Sequence, residues 1–277
     1  MKRLITLATA LCLTLSLLAQ GNVTTRKYRY SDFTSKVTKV VLAGEDLLSG
    51  SLRQEVVSRW TVSAFEFCTA EEFEKLKTED KYYFLLLEEQ RYEDTPGIQF
   101  LSLVKGGVGE QGKLGEMDEV IALPVVASSG GTGRELVFMG ALVQAVQDFT
   151  MAALESEKDA YRKTDWFNDN YRKYGKMMQI YLAEEDLNVA PAILGKYLDE
   201  DIHVVKADEA DAVYLQAPYN TLVSYVIAPE EAEGAYCYKL LLEAESQKLY
   251  YLTRHKMTAK KGGGFLPEDL KKLKRKR

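Results

Sequence analysis

A string of seven residues, Val41-Leu42-Ala43-Gly44-Glu45-Asp46-Leu47, returns 140 positions later as Tyr181-Leu182-Ala183-Glu184-Glu185-Asp186-Leu187. The segments downstream of the two copies agree in type and order. After the first, Leu48, Leu52, Val56 and Trp60 stand four apart, which places them on one face of a helix. After the second, Ala190, Ile193, Leu194, Tyr197 and Leu198 make a similar stripe. A short strand comes next in each copy, residues 63–68 and 201–205, and then an acidic helical turn, Ala70-Glu71-Glu72-Phe73 and Ala207-Asp208-Glu209-Ala210. β-rich runs complete the copies: 82–87, 98–104 and 119–126 in the first, 212–216, 221–227, 236–243 and 248–254 in the second. Chance likeness of two strand–helix units is the competing account, and agreement in both order and type favours duplication. The expected fold is therefore α/β (mixed α+β), with two similar β-α-β-rich halves, each holding a mixed sheet, joined by a long central helix.

That helix is expected from Arg134 to Lys163. Leu136, Met139, Leu142, Val143, Val146, Phe149 and Ala153 form one face, and Val137, Phe138 and Ala145 make its first half apolar nearly all round. Such a helix must be buried on more than one side. Trp166, Phe167, Tyr171 and Tyr174 follow as a packing edge. The expected boundaries are a first half at 20–133, a linking helical segment at 134–175, a second half at 176–258 and a Gly-hinged basic tail at 259–277.

The first residues set the expected address. Lys2 and Arg3 precede an apolar run from Leu4 to Ala19, shorter than the ~20 residues of a membrane span, that ends at Ala19-Gln20-Gly21. This predicts a signal peptide over residues 1–19 and an exported chain, periplasmic or extracellular. Leu17 is larger than the residue preferred before a cut, and Cys12 has no lipid-attachment context. No later window is expected to reach a second span. Cys68 and Cys237 would then meet an oxidising compartment, where one bridge is conceivable, but two buried thiols suit their apolar surroundings better.

Charge is informative through its distribution. The 277 residues hold 36 Lys and Arg against 41 Asp and Glu, a net charge of −5. Residues 254–277 nevertheless contain ten bases against Glu268 and Asp269, so the body is more acidic than the total. An acidic body argues against nucleic acid as the main partner. Lys260-Lys261-Gly262-Gly263-Gly264 reads as a hinge, and Pro267-Glu268-Asp269-Leu270 as the start of a short helix whose dipole the following lysines complement. Lys271, Lys272, Lys274, Arg275, Lys276 and Arg277 are the candidate contacts for an envelope protein or an anionic membrane surface. A merely solvated tail is the plainer reading.

Few motifs carry chemistry. Ser128-Ser129-Gly130-Gly131-Thr132-Gly133-Arg134 lies between a strand and the long helix, where small residues and a helix N-terminus could receive an anion. Ser129, Gly130, Gly131, Thr132, Gly133 and Arg134 are the candidates, against the plainer reading of a flexible turn, and the nucleotide-binding glycine patterns are absent. Glu45-Asp46 and Glu185-Asp186 stand where strand passes into helix, and capping explains both pairs better than metal or acid–base chemistry. His203 and His255 are the only histidines, sit in strand contexts and are read as structural. No metal site, cofactor or catalytic constellation is expected.

The Trp60 helix, Phe65-Glu66-Phe67-Cys68 with Glu71-Glu72-Phe73, Tyr82-Tyr83-Phe84-Leu85-Leu86 and Phe100-Leu101-Ser102-Leu103-Val104-Lys105-Gly106-Gly107 form one series of motifs. With Arg134-Glu135-Leu136-Val137-Phe138 and Gly264-Phe265-Leu266, it resembles an uncharacterised family of secreted or periplasmic α/β proteins of Bacteroidota. The resemblance implies an exported α/β protein and no particular activity. The leading functional expectation is a non-catalytic interaction or scaffold protein of the cell envelope, in keeping with 17 tyrosines, a residue enriched at interfaces. The alternative is a small-ligand receptor with a cleft between the halves, and the third a hydrolase whose site is unrecognised, with Asp46 or Asp186 as its test.

Overall fold

The computed structural model describes residues 30–89, 97–108, 112–230 and 233–274. Two five-stranded sheets share one plan. In the first, β1 (Val37–Leu42) pairs in parallel with β2 (Ala64–Thr69) on one side and β3 (Tyr82–Glu89) on the other. Beyond β3, β4 (Ile98–Lys105) and β5 (Glu119–Ala127) continue antiparallel. In the second, β6 (Gln179–Ala183) lies between its parallel partners β7 (Ile202–Val205) and β8 (Thr221–Ile227). There, β9 (Tyr236–Glu243) and β10 (Leu249–Lys256) complete the antiparallel side. The order β2-β1-β3-β4-β5 thus matches β7-β6-β8-β9-β10 strand for strand. The signal peptide expected at 1–19 lies outside the described residues.

Helices also occupy matching places. In the first half, α1 (Leu47–Arg59) sends Leu52 and Val56 into a cluster with Val40, Tyr83 and Leu85. On the opposite sheet face, α2 (Ala70–Leu76) sets Phe73 against Phe84 and Leu86. The long α3 (Arg134–Glu155) then packs beside α1 on the first face. In the second half α6 (Pro191–Leu194) brings Leu194 to Ile180, Leu182 and Leu222, while α7 (Ala207–Leu215) puts Ala210 and Tyr214 on the other face with Ala183 and Val223. Finally α8 (Pro267–Leu273) adds Leu270 and Leu273, with Phe265 before it, to the α6 face. Each half is therefore β-α-β-α-β-β-β-α, with the first and last helices on one face and the middle helix on the other.

Four expectations need correction. The segment expected as a free basic tail is packed: Phe265 and Leu270 are fully buried, and Lys239 Nζ meets Asp269 at 2.5 Å with both side chains under 5% exposed. Phe265 N donates to the Asp186 carbonyl at 2.7 Å, and Asn188 N returns a bond to the Phe265 carbonyl. Gly264 takes φ +112, and a Cβ there would lie 2.8 Å from the Asp186 carbonyl oxygen, so this strap requires glycine. The run 212–216, expected as a strand, is the last part of α7 and its C-cap Gln216, because Ala207, Ala210 and Tyr214 make a helical stripe against β6 and β8. The long helix stops at Glu155, where Ser156 turns extended and its hydroxyl caps the restarted α4 (Glu157–Arg162) through Asp159 N at 3.3 Å. By length and composition α3 also qualifies as a second span, against expectation, yet 67% of its apolar window is buried inside the protein.

The sheets meet around α3. Phe138 stacks on Tyr225 at 4.8 Å and meets Tyr214 edge-on at 4.7 Å, so the α7 face of the second sheet covers the helix that rests on the first. Tyr225 Oη donates to the Val125 carbonyl at 2.6 Å, and Tyr238 meets Phe100 edge-on, so that sheet also covers edge strand β5. The other antiparallel edge, β10, is closed by α5 (Asn168–Lys173). Asn168 accepts from Leu252 N and donates to the Leu252 carbonyl, and Asn170 donates to the Leu249 carbonyl. Open edges invite pairing with other chains, and these amides occupy this one. Cys68 and Cys237 are both free and buried.

Deleting residues 264–277 tests the packed tail. Losing Phe265, Leu266, Leu270 and Leu273 forfeits roughly 1.5–3 kcal/mol for each fully buried side chain, and leaves Lys239 unpaired at roughly 3–5 kcal/mol. The truncated chain is expected to lose cooperative thermal unfolding, followed by circular dichroism, whereas a free tail would leave the midpoint unchanged.

Candidate functional site

The most concentrated polar cluster lies at the head of α3. Gly133 takes φ +89 as the N-cap, and Arg134 runs from it into the junction between the halves, 8% exposed. Arg134 Nη1 meets both Asp186 oxygens at 3.0 Å, and Nε meets Asp211 at 2.9 and 3.1 Å. Its Nη2 donates to the Ser224 carbonyl at 2.8 Å and lies 2.9 Å from Asp211. Ser224 Oγ donates to Asp186 at 2.6 Å and accepts from Ala183 N at 2.9 Å. The planar fork is thus fully engaged, in the bidentate geometry that suits arginine and not lysine. Burial opposes the Arg134 charge, but Asp186 and Asp211 hold its pKa above the ordinary value. Burial raises the Asp186 carboxyl, against the opposing pull of Arg134 and Ser224.

This geometry revises the glycine-rich loop. Arg134 borders the cleft, but its donors are spent on Asp186, Asp211 and Ser224, so none is presented to an external anion. Gly133 N donates to the Glu135 carboxylate at 3.0 Å, which supplies the negative charge the helix start favours. Ser129, Gly130, Gly131, Thr132 and Gly133 are exposed around it. The two Glu-Asp pairs also part company. Asp46 caps α1, accepting from Ser49 N at 2.9 Å and Ser49 Oγ at 2.7 Å, which lowers its pKa. Asp186 does not cap a helix, because Leu187 is extended and bridges to Phe265, and the carboxylate turns to Arg134 instead. Glu185 performs the expected service from a distance, accepting from Ala207 N at the start of α7.

Above the Arg134 cluster, the carboxyl ends of β6, β7 and β8 open into a cleft of about 700 Å³ bordered by Thr132, Glu185, Asp208, Asp211, Glu230 and Gly264. Both glycine-rich turns reach it, one before α3 and one before α8. The first half has a counterpart of about 680 Å³ at the ends of β1 and β2, bordered by Gly44, Asp46, Arg53, Thr69 and Glu71. Ends of parallel strands whose crossovers diverge are where α/β sheets hold ligands. Between the halves, the space beside Phe100, Pro124, Tyr238 and Arg254 is about 10 Å³, room for one water, and an open recess of about 440 Å³ lies at the margin between Gln144 and Asp148 of α3 and Lys248.

The remaining candidates are scattered. Lys271 lies 5.9 Å over the Tyr197 ring, Lys272 lies 3.7 Å from Asp269, and Lys274 donates to the Lys196 carbonyl. Arg275, Lys276 and Arg277 lie outside the described residues. His203 bonds Gln179 at 2.6 Å and His255 bonds the Gly262 carbonyl at 2.9 Å. Among the described residues no group of three His, Cys, Asp or Glu side chains is placed to hold a metal. The sequence reading missed Asp211, Ser224, Lys239 and Asp269. Their partners lie 77, 90 and 30 residues away along the chain, beyond any local pattern. No family model, curated protein or solved structure matches the chain.

Arg134→Met should leave Asp186 buried without its counter-charge and cost roughly 3–5 kcal/mol near neutral pH. Because the folded pKa of Asp186 then lies further above its unfolded value, the folded state binds the extra proton, and stability falls as pH rises through that window. Urea titrations should therefore show the deficit against the wild type shrinking on acidification, and a deficit independent of pH would contradict the assignment.

Proposed function

We propose that the protein is an exported, non-catalytic interaction component of the cell envelope, as its resemblance to secreted Bacteroidota proteins suggests. One observation carries this reading: the charged and ring side chains that sequence offers for chemistry are already bonded to other groups of the fold. Arg134 uses its donors on Asp186, Asp211 and Ser224, Asp46 is bound to Ser49, and both histidines have internal partners. The junction where a receptor would enclose its ligand is packed with Phe138, Tyr214 and Tyr225. What faces solvent instead is surface chemistry suited to partners, including Lys271 and Lys272 on the outer side of α8.

A second reading keeps the receptor class but moves its site from the junction to the second-half cleft, favoured by the position of that cleft at the strand ends. Its five carboxylates against one arginine would select a cationic small molecule. A thermal-shift series with di- and polyamines separates the two, since saturating ligand at about 100 times its Kd stabilises by ~2.7 kcal/mol.

For the leading reading, crosslinking of the full chain in envelope fractions is expected to give a discrete adduct. The triple variant Lys271→Glu, Lys272→Glu, Lys274→Glu, which keeps α8 in place, asks whether the contact runs through that helix. No adduct from the folded wild type would sink the reading.

A further inference from the structure

Seven large apolar side chains are more than half exposed among the described residues, and three of them come together at the amino ends of β6 and β8, opposite the second-half cleft. Tyr174 is 56%, Met177 57% and Tyr219 82% exposed. Met177 N donates to the Tyr174 carbonyl at 3.0 Å, Asn220 Nδ2 donates to the Met177 carbonyl at 3.0 Å, and Gln179 N donates to the Asn220 carbonyl. The turn that carries Tyr219 contains two non-glycine residues in left-handed conformation, Ala217 at φ 50 and Asn220 at φ 58. Half-buried Tyr250 is within electrostatic reach of both Tyr174 and Tyr219; burial raises its pKa first, then buried Glu243, then the two phenols. Arg172 beside the patch is spent on Asp165 and Asp169, whereas Lys173 and Lys176 form no ion pair among the described residues.

We propose that Tyr174, Met177 and Tyr219, flanked by Lys173 and Lys176, form a docking surface for an acidic segment of a partner protein. This rests on the interaction reading and gives it a place distinct from the α8 lysines. Tyrosine and methionine are the apolar residues enriched in protein interfaces, and both tolerate solvent in the free state. Charge selects the partner: two uncompensated lysines on a chain of net charge −5 are a local reversal of sign that attracts carboxylates. A flat anionic bilayer fits less well. Glu200 and Asp201 stand at the same end of the sheet, where Gln179 bonds Asp201 at 2.9 Å, and a bilayer would face those carboxylates too. The patch also lacks the exposed Trp, Phe and Leu side chains that interfacial insertion uses.

The test uses the full chain and a fluorescein-labelled random copolymer of glutamate and tyrosine, read by fluorescence anisotropy, beside polylysine and phosphatidylglycerol vesicles. The copolymer should bind and polylysine should not. The double variant Tyr174→Ser/Tyr219→Ser should weaken binding about tenfold or more, as interface anchors do. Lys173→Glu/Lys176→Glu should do so independently, and Lys271→Glu/Lys272→Glu should leave it within about twofold. Unchanged thermal midpoints establish that the surface variants fold. Absence of copolymer binding, wild-type binding by both patch variants, or patch-dependent binding to the vesicles alone would overturn the proposal. The envelope crosslink separates the two failures: an adduct that survives both patch variants removes this surface and leaves the interaction reading, whereas no adduct from the wild type removes that reading itself.

Discussion

A helix whose first half is apolar nearly all round cannot rest on one sheet, and the rest of this molecule is built around that constraint. Phe138, Met139, Leu142, Val143, Val146 and Phe149 of α3 are all fully buried. The first sheet covers one side of them and the second sheet the other. Burying each such side chain is worth roughly 1.5–3 kcal/mol, so separating the halves would expose more apolar surface than a marginally stable chain tolerates. Within the first half, Gly140 leaves room beside α3 for the ion pair of Arg59 and Glu55 on α1, whose charged ends would lie 2.7 Å from a Cβ there. Arg134 then fixes the direction of the helix, since its fork matches one arrangement of Asp186, Asp211 and Ser224.

The halves do not meet as mirror partners. The first contributes its α1 and α3 face, whereas the second contributes the opposite face, the one that carries α7. Packing of unlike faces is head-to-tail, and nothing in its symmetry makes it stop. In the second half the face equivalent to α1 and α3 is covered by α6 and the short α8, with Lys271 and Lys272 turned outward. Charged side chains at that place do what a polar terminal repeat does in a stacked array. The same lysines that sequence marks as a tail thereby gain an architectural reason.

How much of this was legible depends on which forces act locally. The repeated string around Asp46 and Asp186, the helical stripe of Leu52 and Val56, and the β-rich runs that became β8 and β9 reflect period, propensity and turn chemistry, and these placed both sheets. Asp186 misled because the same letters that cap α1 are succeeded, in the second copy, by a chain that pairs with Phe265. Ala212–Gln216 misled because Val213 and Tyr214 favour strands, and only packing against β6 and β8 settles a helix there. The terminal segment was dominated by its charge, although Phe265, Leu266, Leu270 and Leu273 already held the spacing of a buried face. The fork around Arg134 joins residues from three distant segments, and the Tyr174–Tyr219 patch exists only once β6 and β8 are paired.

The central claim is that two similar halves form one cooperative body around α3. Native-state hydrogen exchange measures this most directly, because slow amides report the free energy of the opening that exposes them. Amides of α3, β4 and β9 should exchange with one shared, global free energy and respond equally to urea. Exchange of β9 at a clearly lower free energy than α3 and β4 would show the second half opening by itself, and the account would fail.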